Sequence, residues 1–383
     1  MQRRLSPGDG VLRCSLDPSS RAHLSDVQFS YPLKVIVPAR RFLTRVQCAY
    51  IIGYGGGLVA GDRVRLKVEV DEGATLVLLT QGASLAFTRA PAASLASWAT
   101  APDSSSCSWD GRATASSPTW TLTLSHYPTG STKVFKVRPG RYLNAPTLSE
   151  TSTTQQLFRL SVAPSSTLVL LPAPVTCFSR ARYTQRQVVR LADPSSSLIL
   201  LDWYTCGRMG MAAGADQGDG GGEEWEFERY RSENEVWLGE RRIAKDVLLL
   251  EDEAPSPPSS MTADNDPSSF PLAHEPVAHT TTYRPRVAPY SCYATLFLFG
   301  PSCAALLASV EREFAALVQH KQRAPFSLVW SFSPLALPGG LKGGIARCAG
   351  DSTEAVRDWV THVLGKGGIE DLVSRDLWKG AFT

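Results

Sequence analysis

The sequence lacks the short motifs of several common classes of enzyme. Its 383 residues contain no GxxxxGK[ST] loop for a nucleotide phosphate, no GxGxxG turn for a dinucleotide and no HExxH pair for zinc. The eight cysteines form no CxxC pair and are too sparse for a disulfide framework. No signal peptide is expected at the start of the chain. We therefore expect free thiols, a reducing cytoplasmic compartment and no tightly bound cofactor.

The sequence also lacks a large excess of charge of either sign. Lys and Arg number 39 and Asp and Glu number 36, which gives a net charge of +3. No basic stripe is visible along the sequence, so we expect no nucleic-acid partner. The uncharged stretch 287–310 is interrupted by Pro289, Gly300 and Pro301. It predicts a strand, a turn and the start of a helix, and we expect no membrane partner.

Alternation of apolar and polar residues dominates the first two thirds of the chain. Residues 64–70 alternate in this way, as a half-buried strand does. A weak repeat is visible at 66–79, 158–171 and 188–201, where each unit has an amphipathic strand, a short turn and a fully apolar strand. The repeat predicts β-helix-like stacked strands. The alternative is a chance likeness between hairpins of an ordinary β-sandwich.

The C-terminal part has a different pattern. Apolar residues recur at three- and four-residue steps from Cys303 to Leu317, which is typical of an amphipathic helix. Asp351 and Glu354 resemble a capping box at the start of a second helix. The sequence therefore predicts a mainly β protein with a small C-terminal α/β portion that contains about two helices.

Composition divides the chain into three parts. Residues 1–251 are expected to form the β-rich scaffold, with low-complexity inserts at about 83–130 and 212–222. Residues 252–282 are rich in Pro, Ser and Thr and are expected to be a disordered linker or insert. Residues 283–383 are expected to supply strands and helices that pack on the β body.

A glycine-rich turn follows the strand expected at 45–52. Residues 55–62 read Gly-Gly-Gly-Leu-Val-Ala-Gly-Asp, and glycines permit a positive φ or a close backbone approach. An alternating strand comes next, and residues 79–82 then read Leu-Thr-Gln-Gly. This order resembles the UreD (UreH) family of urease accessory proteins, in which a GG-x-x-x-GD turn precedes a strand ending in Thr-Thr-Gln. Leu79 stands where the family usually has the first threonine.

Further segments follow the order of the UreD family from about residue 31 to residue 363. Residues 131–136 resemble its Lys-aromatic segment, and 171–178 resemble its LP-x-P-x-x-x-F segment. The Gly-Arg pair at 207–208 and the Gly-Glu pair at 222–223 resemble one further element of the family, which the glycine-rich insert splits here. The expected C-terminal strand at 293–300 also resembles its counterpart in the family. The residues that carry the motifs are Gly56, Gly57, Gly61, Asp62, Thr80, Gln81, Lys133, Pro172, Gly207, Arg208, Gly222 and Glu223.

The segment 83–130 interrupts one of these motifs. Without it, the sequence reads Thr-Gln-Gly-Ser-Thr-Lys-Val-Phe-Lys without a break. We hypothesise that the segment is a retained intron in a gene prediction, and a messenger RNA that encodes it would refute this. The alternative is a lineage-specific disordered loop. The inserts resemble those of a eukaryotic member of the family, such as a fungal one.

The resemblance implies a β-helical scaffold that is not an enzyme. Members of the family bind the accessory protein UreF, and the pair recruits the GTPase UreG. The assembly docks on apo-urease and supports GTP-dependent nickel insertion, and an internal polar passage is proposed to carry the metal. By this resemblance, nickel is cargo in transit and the partners are UreF, UreG and apo-urease.

Nickel in transit favours weak oxygen contacts, because a tight closed site does not release its metal. Our candidates for such contacts are Asp62, Asp202 and Glu223. Each has a structural alternative, in which Asp62 caps a turn, Asp202 pairs with Arg208 and Glu223 faces solvent. The aromatic residues Trp225, Phe227, Trp237 and Trp359 are expected to lie in the core.

Two other functions remain open from the sequence. A β-helical polysaccharide-cleaving enzyme would pair Asp202 with Glu223 or Glu224 at about 5–9 Å, beside an aromatic cleft. A generic β scaffold would bind partners without any metal traffic. Co-purification of UreF and UreG would distinguish the maturation factor from both alternatives.

Overall fold

The computed structural model describes residues 5–39, 43–53, 57–80, 153–208, 223–252, 282–317 and 327–381, with the backbone alone at Arg208 and Glu223. It also describes the backbone of three strands at 84–87, 120–124 and 133–137. The expected inserts at 83–130 and 212–222 and the expected linker at 252–282 lie almost entirely outside these residues.

The chain divides into two compact units. One comprises Met1–Thr88 and Thr153–Thr383, and the other comprises Arg89–Ser152. In the second unit, the described residues form an antiparallel pair of strands, β9 (Trp120–Leu124) and β10 (Lys133–Val137).

The described strands follow one another along most of the chain. The strands before residue 90 are β1 (Asp9–Leu16), β2 (Ala22–Phe29), β3 (Leu33–Ile36), β4 (Val46–Gly53), β5 (Gly57–Val59), β6 (Arg63–Val70), β7 (Thr75–Thr80) and β8 (Ser84–Phe87). Those between residues 120 and 205 are β9 (Trp120–Leu124), β10 (Lys133–Val137), β11 (Thr154–Val162), β12 (Thr167–Leu171), β13 (Val175–Cys177), β14 (Arg182–Leu191) and β15 (Ser197–Thr205). The later strands are β16 (Gly207–Arg208), β17 (Glu223–Glu224), β18 (Arg229–Leu238), β19 (Arg241–Glu251), β20 (Cys292–Phe299), β21 (Leu328–Ala336) and β22 (Lys342–Gly350).

Two large sheets account for most of these strands. The first sheet has the order β19-β18-β14-β11-β6-β1-β2. The second sheet has the order β21-β22-β20-β15-β12-β7-β4-β3, with β13, β8 and β5 attached beside β15. The short strands β16 and β17 pair with each other.

The alternation seen in the sequence has its expected cause. In β6, Val64, Leu66, Val68 and Val70 are buried, while Arg63, Arg65 and Lys67 are exposed. These valines and leucines belong to a core between the two sheets. The central strands β7, β12 and β15 of the second sheet are apolar on both faces along most of their length, because helices cover the sheet's other side. Leu168 lies in the core between the sheets, whereas Val169 lies in a second core beneath the helices.

The three repeat units pair with one another in register. Leu66 lies opposite Phe158 in the first sheet, and Thr75 lies opposite Thr167 in the second. Thr167 in turn lies opposite Ser197, and all these pairings are parallel. The prediction of a mainly β protein is confirmed. The β-helix-like arrangement is not confirmed, because both sheets are open and mixed, with antiparallel strands at their ends.

Both expected amphipathic helices are present in the C-terminal part. The helices there are α1 (Arg284–Val287), α2 (Ala304–Ala315), α3 (Thr353–Lys366), α4 (Ile369–Val373) and α5 (Arg375–Lys379). The cap of α3 is one residue later than expected, because the Ser352 hydroxyl accepts a hydrogen bond from the Ala355 amide at 3.3 Å. The uncharged stretch forms β20, a turn and the start of α2, as predicted. Among the described helices, none has the length and apolar character needed to cross a bilayer.

Candidate functional site

A buried carboxylate lies between the two sheets. Asp202 of β15 points inward and meets polar side chains of β14 and β18. Its Oδ1 accepts a hydrogen bond from Gln185 Nε2 at 2.6 Å, and its Oδ2 accepts from Ser232 Oγ at 2.5 Å and Asn234 Nδ2 at 2.6 Å. Neutral donors therefore hold this carboxylate, and we call Asp202 with Gln185, Ser232 and Asn234 the polar cluster.

The predicted pairing of Asp202 with Arg208 stays a prediction, although three other donors already surround this carboxylate. The side chain of Arg208 lies outside the described atoms. Its backbone pairs with Glu223 between β16 and β17, so two motif residues that are separated by the glycine-rich insert meet on adjacent strands. The side chain of Glu223 is likewise outside the described atoms, and its predicted contact with nickel stays a prediction.

A second layer of side chains encloses the polar cluster. Gln187 Nε2 donates to Asn234 Oδ1 at 3.1 Å, and the Tyr183 hydroxyl donates to Gln185 Oε1 at 3.2 Å. The ring of Tyr230 stacks on Tyr183 with centroids 5.8 Å apart. Among the described atoms, the buried Tyr230 hydroxyl finds no hydrogen-bond partner. A buried hydroxyl without a partner is costly, and here it lies in the same interior layer as the carboxylate.

Burial of the carboxylate changes the pKa of Asp202. Removal from water raises the pKa of Asp202 above its ordinary value, and the three hydrogen bonds oppose that rise. The negative charge of Asp246 adds to the rise. Among the described side chains, the donors to ionised Asp202 are neutral, and an anion held in this way is the kind of group that a passing cation would stabilise.

Asp62 lies in the turn that leads from β5 into β6. Its Oδ2 accepts a hydrogen bond from the Val59 amide at 3.0 Å, while the Asp62 amide donates to the Val59 carbonyl at 2.9 Å. The predicted capping role is thus confirmed. Gly61 beside it has a φ of 87°, which only glycine adopts without strain. Partial burial raises the pKa of Asp62, although the Val59 hydrogen bond opposes this.

Two motif residues join the ends of neighbouring strands in the second sheet. The Thr80 hydroxyl accepts a hydrogen bond from the Ala173 amide at 2.6 Å. The Trp203 indole donates to the Pro172 carbonyl at 2.7 Å. These contacts connect the ends of β7 and β12 with β15. The Thr-Gln and Leu-Pro motifs therefore have an observable structural role in aligning the strands.

The remaining motif residues are described in part or not at all. Gly57 begins β5, and Gly207 begins β16 with a φ of 133°. Lys133 begins β10 in the second unit, where only the backbone is described. Gly56, Gln81 and Gly222 lie outside the described residues.

The thiols in the described part of the chain are buried and free, as predicted. They are Cys14, Cys48, Cys177, Cys206, Cys292, Cys303 and Cys348, whereas Cys107 lies outside that part. Burial raises the pKa of Cys48 and of Cys292 to about 12, and that of Cys206 to about 11. These thiols stay protonated at neutral pH, and a protonated thiol is a poor metal ligand. No three His, Cys, Asp or Glu side chains converge as a metal site within the described ranges.

The aromatic side chains are mostly core residues. Trp225, Phe227 and Trp359 are buried, as predicted. Trp237 instead lies half-buried on the outer side of the first sheet. Glu224 is exposed, whereas Asp202 is buried, so these two carboxylates occupy different environments and do not share an open cleft. That geometry gives no support to a glycan-cleaving pair of Asp202 with Glu224, whereas the pair with Glu223 stays a prediction.

Sequence reasoning identified Asp202 but missed its partners. A signal was available in β14 and β18, where polar residues occupy positions at which an inward-facing strand normally has apolar ones. Gln185 follows buried Tyr183 by two residues, and Ser232 follows buried Tyr230 by two residues. Such polar residues on an apolar face indicate a buried hydrogen-bonded network.

Comparisons with known proteins agree with the resemblance. A family model described as UreD urease accessory protein matches residues 7–114 and 124–367. The chain is 29% identical to urease accessory protein 4 of Cryptococcus neoformans over 386 aligned positions, which cover 98% of this chain and 95% of the relative. It is 25% identical to urease accessory protein D of Oryza sativa subsp. indica, with 87% and 84% covered. Urease accessory protein D of Arabidopsis thaliana is 24% identical, with 88% of each chain covered.

Proposed function

The chain belongs to the UreD family of urease accessory proteins, and from this we propose that it is a non-catalytic maturation factor that supports GTP-dependent nickel insertion into apo-urease. Its partners in this proposal are UreF, UreG and apo-urease, and its working compartment is the cytoplasm. The extent of the family match is the observation that carries the proposal, because it includes both sheets and the helices α1, α2 and α3.

The described fold is consistent with a scaffold. The three repeat units pair in register through both sheets, and the resulting parallel centre is β-helix-like in this proposal. Two cores hold this centre, one between the sheets and one beneath the helices. Such a body is rigid, and a rigid body is suited to hold several proteins in a fixed arrangement.

Nickel enters the proposal as cargo. Asp62 and Asp202 offer carboxylate oxygens, and Glu223 is the third candidate for a transient contact. Asp62 has one oxygen engaged by the Val59 amide and stays partly accessible. Asp202 accepts three hydrogen bonds out of about four lone-pair positions, so it offers at most one weak contact. Weak oxygen contacts suit a metal that has to be released.

Co-purification tests the proposed function. A tagged version of the full chain is expressed in its host and recovered at low salt, and the bound proteins are identified. We expect UreF, UreG and apo-urease in the eluate, and none of them with a tagged unrelated β protein. Recovery of the chain alone, or turnover of a glycan by the purified chain, would contradict the proposal.

A further inference from the structure

The outer face of the first sheet carries basic side chains in aligned rows. Adjacent strands bring together six of them, Arg65, Lys67, Arg159, Arg186, Arg190 and Lys245, which we call the basic face. These residues point away from the core, since along β6, β11 and β14 they alternate with buried residues, and in β19 with half-buried ones. Strands β6, β11, β14 and β19 contribute to the basic face, so it spans most of the sheet.

Two acidic residues on this side of the sheet, Glu233 and Glu235, lie beneath basic ones. The side chain of Arg186 is 51% exposed, whereas its partners Glu233 and Glu235 are 7% and 3% exposed. Lys245 also covers Glu233, with a distance of 3.1 Å from Nζ to Oε1. Solvent therefore meets the cationic groups first at these two positions. Arg65, Lys67 and Arg190 pair with the more accessible carboxylates of Asp9, Glu69 and Glu240, so the unbalanced positive charge among the described residues of this face lies at Arg159.

One pair of basic residues is expected to destabilise the isolated protein. Lys67 of β6 lies directly opposite Arg159 of β11. Like charges opposite each other on neighbouring strands are destabilising. Lys67 has Glu69 as an ion-pair partner at 2.5 Å, but Arg159 has no anionic partner among the described residues. Stability of the chain alone does not account for this arrangement, whereas an external anionic surface would.

The shape and size of the basic face suit a protein surface. An open depression of about 460 Å³ is lined by Arg65, Lys67, Leu157 and Arg159. Strands lie ~4.8 Å apart and outward residues recur every ~6.7 Å, so five strands and three rows cover roughly 500 Å². A stable interface buries about 800 Å² on each partner, and the face with its margins approaches that size.

The side chains between the cations favour a protein partner over nucleic acid. Leu157 and Val188 lie partly exposed among the arginines, and Val247 is exposed at the margin. The ring of Trp237 on this side is covered by the Arg190 guanidinium at 5.2 Å from its centroid. Single-stranded nucleic acid would use free aromatic faces for stacking, whereas mixed aliphatic and cationic surfaces match acidic protein surfaces.

We propose that the basic face is a docking surface for an acidic surface of a protein partner. The occupant contributes carboxylates to Lys67 and Arg159 and packs its aliphatic groups against Leu157. This inference rests on the proposed function only for the choice of probe, which is purified apo-urease of the source organism. The docking energy is electrostatic in part, so binding weakens as salt screens the charges.

The test compares two double variants of the full chain with the same change in net charge. In one, Lys67→Glu and Arg159→Glu reverse the centre of the basic face. In the control, Lys366→Glu and Lys379→Glu reverse exposed residues of the C-terminal helices. Affinity for immobilised apo-urease is measured at low and at high salt. We expect the first variant to bind at least about tenfold more weakly and the control to change by less than about twofold.

Folding and function are followed in parallel. Circular dichroism verifies that each variant is folded. If charge reversal prevents folding, the double variant Lys67→Ala with Arg159→Ala replaces it, and we expect its affinity for apo-urease to fall by at least about threefold. Equal binding by the basic-face variant and the control would overturn the inference. Tighter binding of wild type to a 20-base-pair DNA or to phosphatidylserine vesicles than to apo-urease would also overturn it.

A complementation assay separates this inference from the proposed function. Each variant is expressed in a host strain that lacks the gene, and urease activity is normalised to urease protein. If wild type restores activity and the basic-face variant restores it equally well, the docking surface is wrong and the maturation role stands. If wild type itself restores nothing, the maturation role is wrong.

Discussion

Replacing Asp202 separates the structural role of the polar cluster from any role in metal transit. In Asp202→Ala, the donors on Gln185, Ser232 and Asn234 lose their common acceptor. Gln185 keeps a hydrogen bond to Ser232 Oγ at 2.9 Å, and Asn234 keeps only a long one at 3.4 Å. A buried donor without a partner costs about 1–3 kcal/mol, so we expect the free energy of unfolding to fall by about 3 kcal/mol.

Asp202→Asn keeps the shape of the side chain but removes its charge, and its effect depends on pH. Because burial raises the folded-state pKa of Asp202 above the unfolded value of 3.8, the stability that this group contributes is fully present below pH 3.8. It is lost as pH rises through the folded pKa. Asparagine does not titrate, so the stability advantage of wild type over Asp202→Asn is largest at acid pH and shrinks towards neutral pH.

Urea denaturation followed by tryptophan fluorescence measures both effects between pH 3.5 and pH 8. Asp9→Ala is the control, because Asp9 pairs with Arg65 on the surface at 2.7 Å and such a pair contributes about 0–1 kcal/mol. A loss for Asp202→Ala as small as that of the control would refute the account of the polar cluster. So would a stability advantage over Asp202→Asn that grows from acid to neutral pH.

Three further predictions concern packing and the thiols. Gly300→Ala is expected to lower the free energy of unfolding by more than about 2 kcal/mol, because the φ of Gly300 is 93° and the new Cβ would lie 2.2 Å from the Ser196 carbonyl oxygen. An unchanged free energy of unfolding in urea denaturation would contradict this. Trp203→Phe removes the donor to the Pro172 carbonyl, and we expect a loss of about 1 kcal/mol in thermal melts, whereas an unchanged melt would show the bond to be unimportant. The buried thiols are expected to react with Ellman's reagent only in denaturant, and rapid reaction of more than one thiol in the native protein would show that they are accessible.

Local patterns predicted the strands and the two main helices well. The alternation of β6 predicted one solvent-exposed face and one buried face. The fully apolar β12 predicted a strand that is buried on both faces. The repeat correctly anticipated which strands lie side by side. It did not reveal that the sheets are open and mixed, because the antiparallel partners β2, β3, β19 and β20 have no counterpart in the repeat.

Sequence reasoning did not assemble the polar cluster or the basic face, and the physical reason is the same for both. Each is assembled from strands that are distant along the chain, and only the pairing register brings their side chains together. Asp202 meets Ser232 and Asn234 across the two sheets. Lys67 meets Arg159 across two parallel strands. No basic run appears in the sequence because each strand contributes only one or two cations to the basic face.

Urease activity in a strain without this gene tests the central claim most directly. Activity is measured per unit of urease protein, with and without excess nickel, before and after the full chain is restored. We predict normal levels of urease protein with little activity in the deletion strain, and recovery when the chain returns. Full urease activity in the deletion strain at ordinary nickel would contradict a role in maturation.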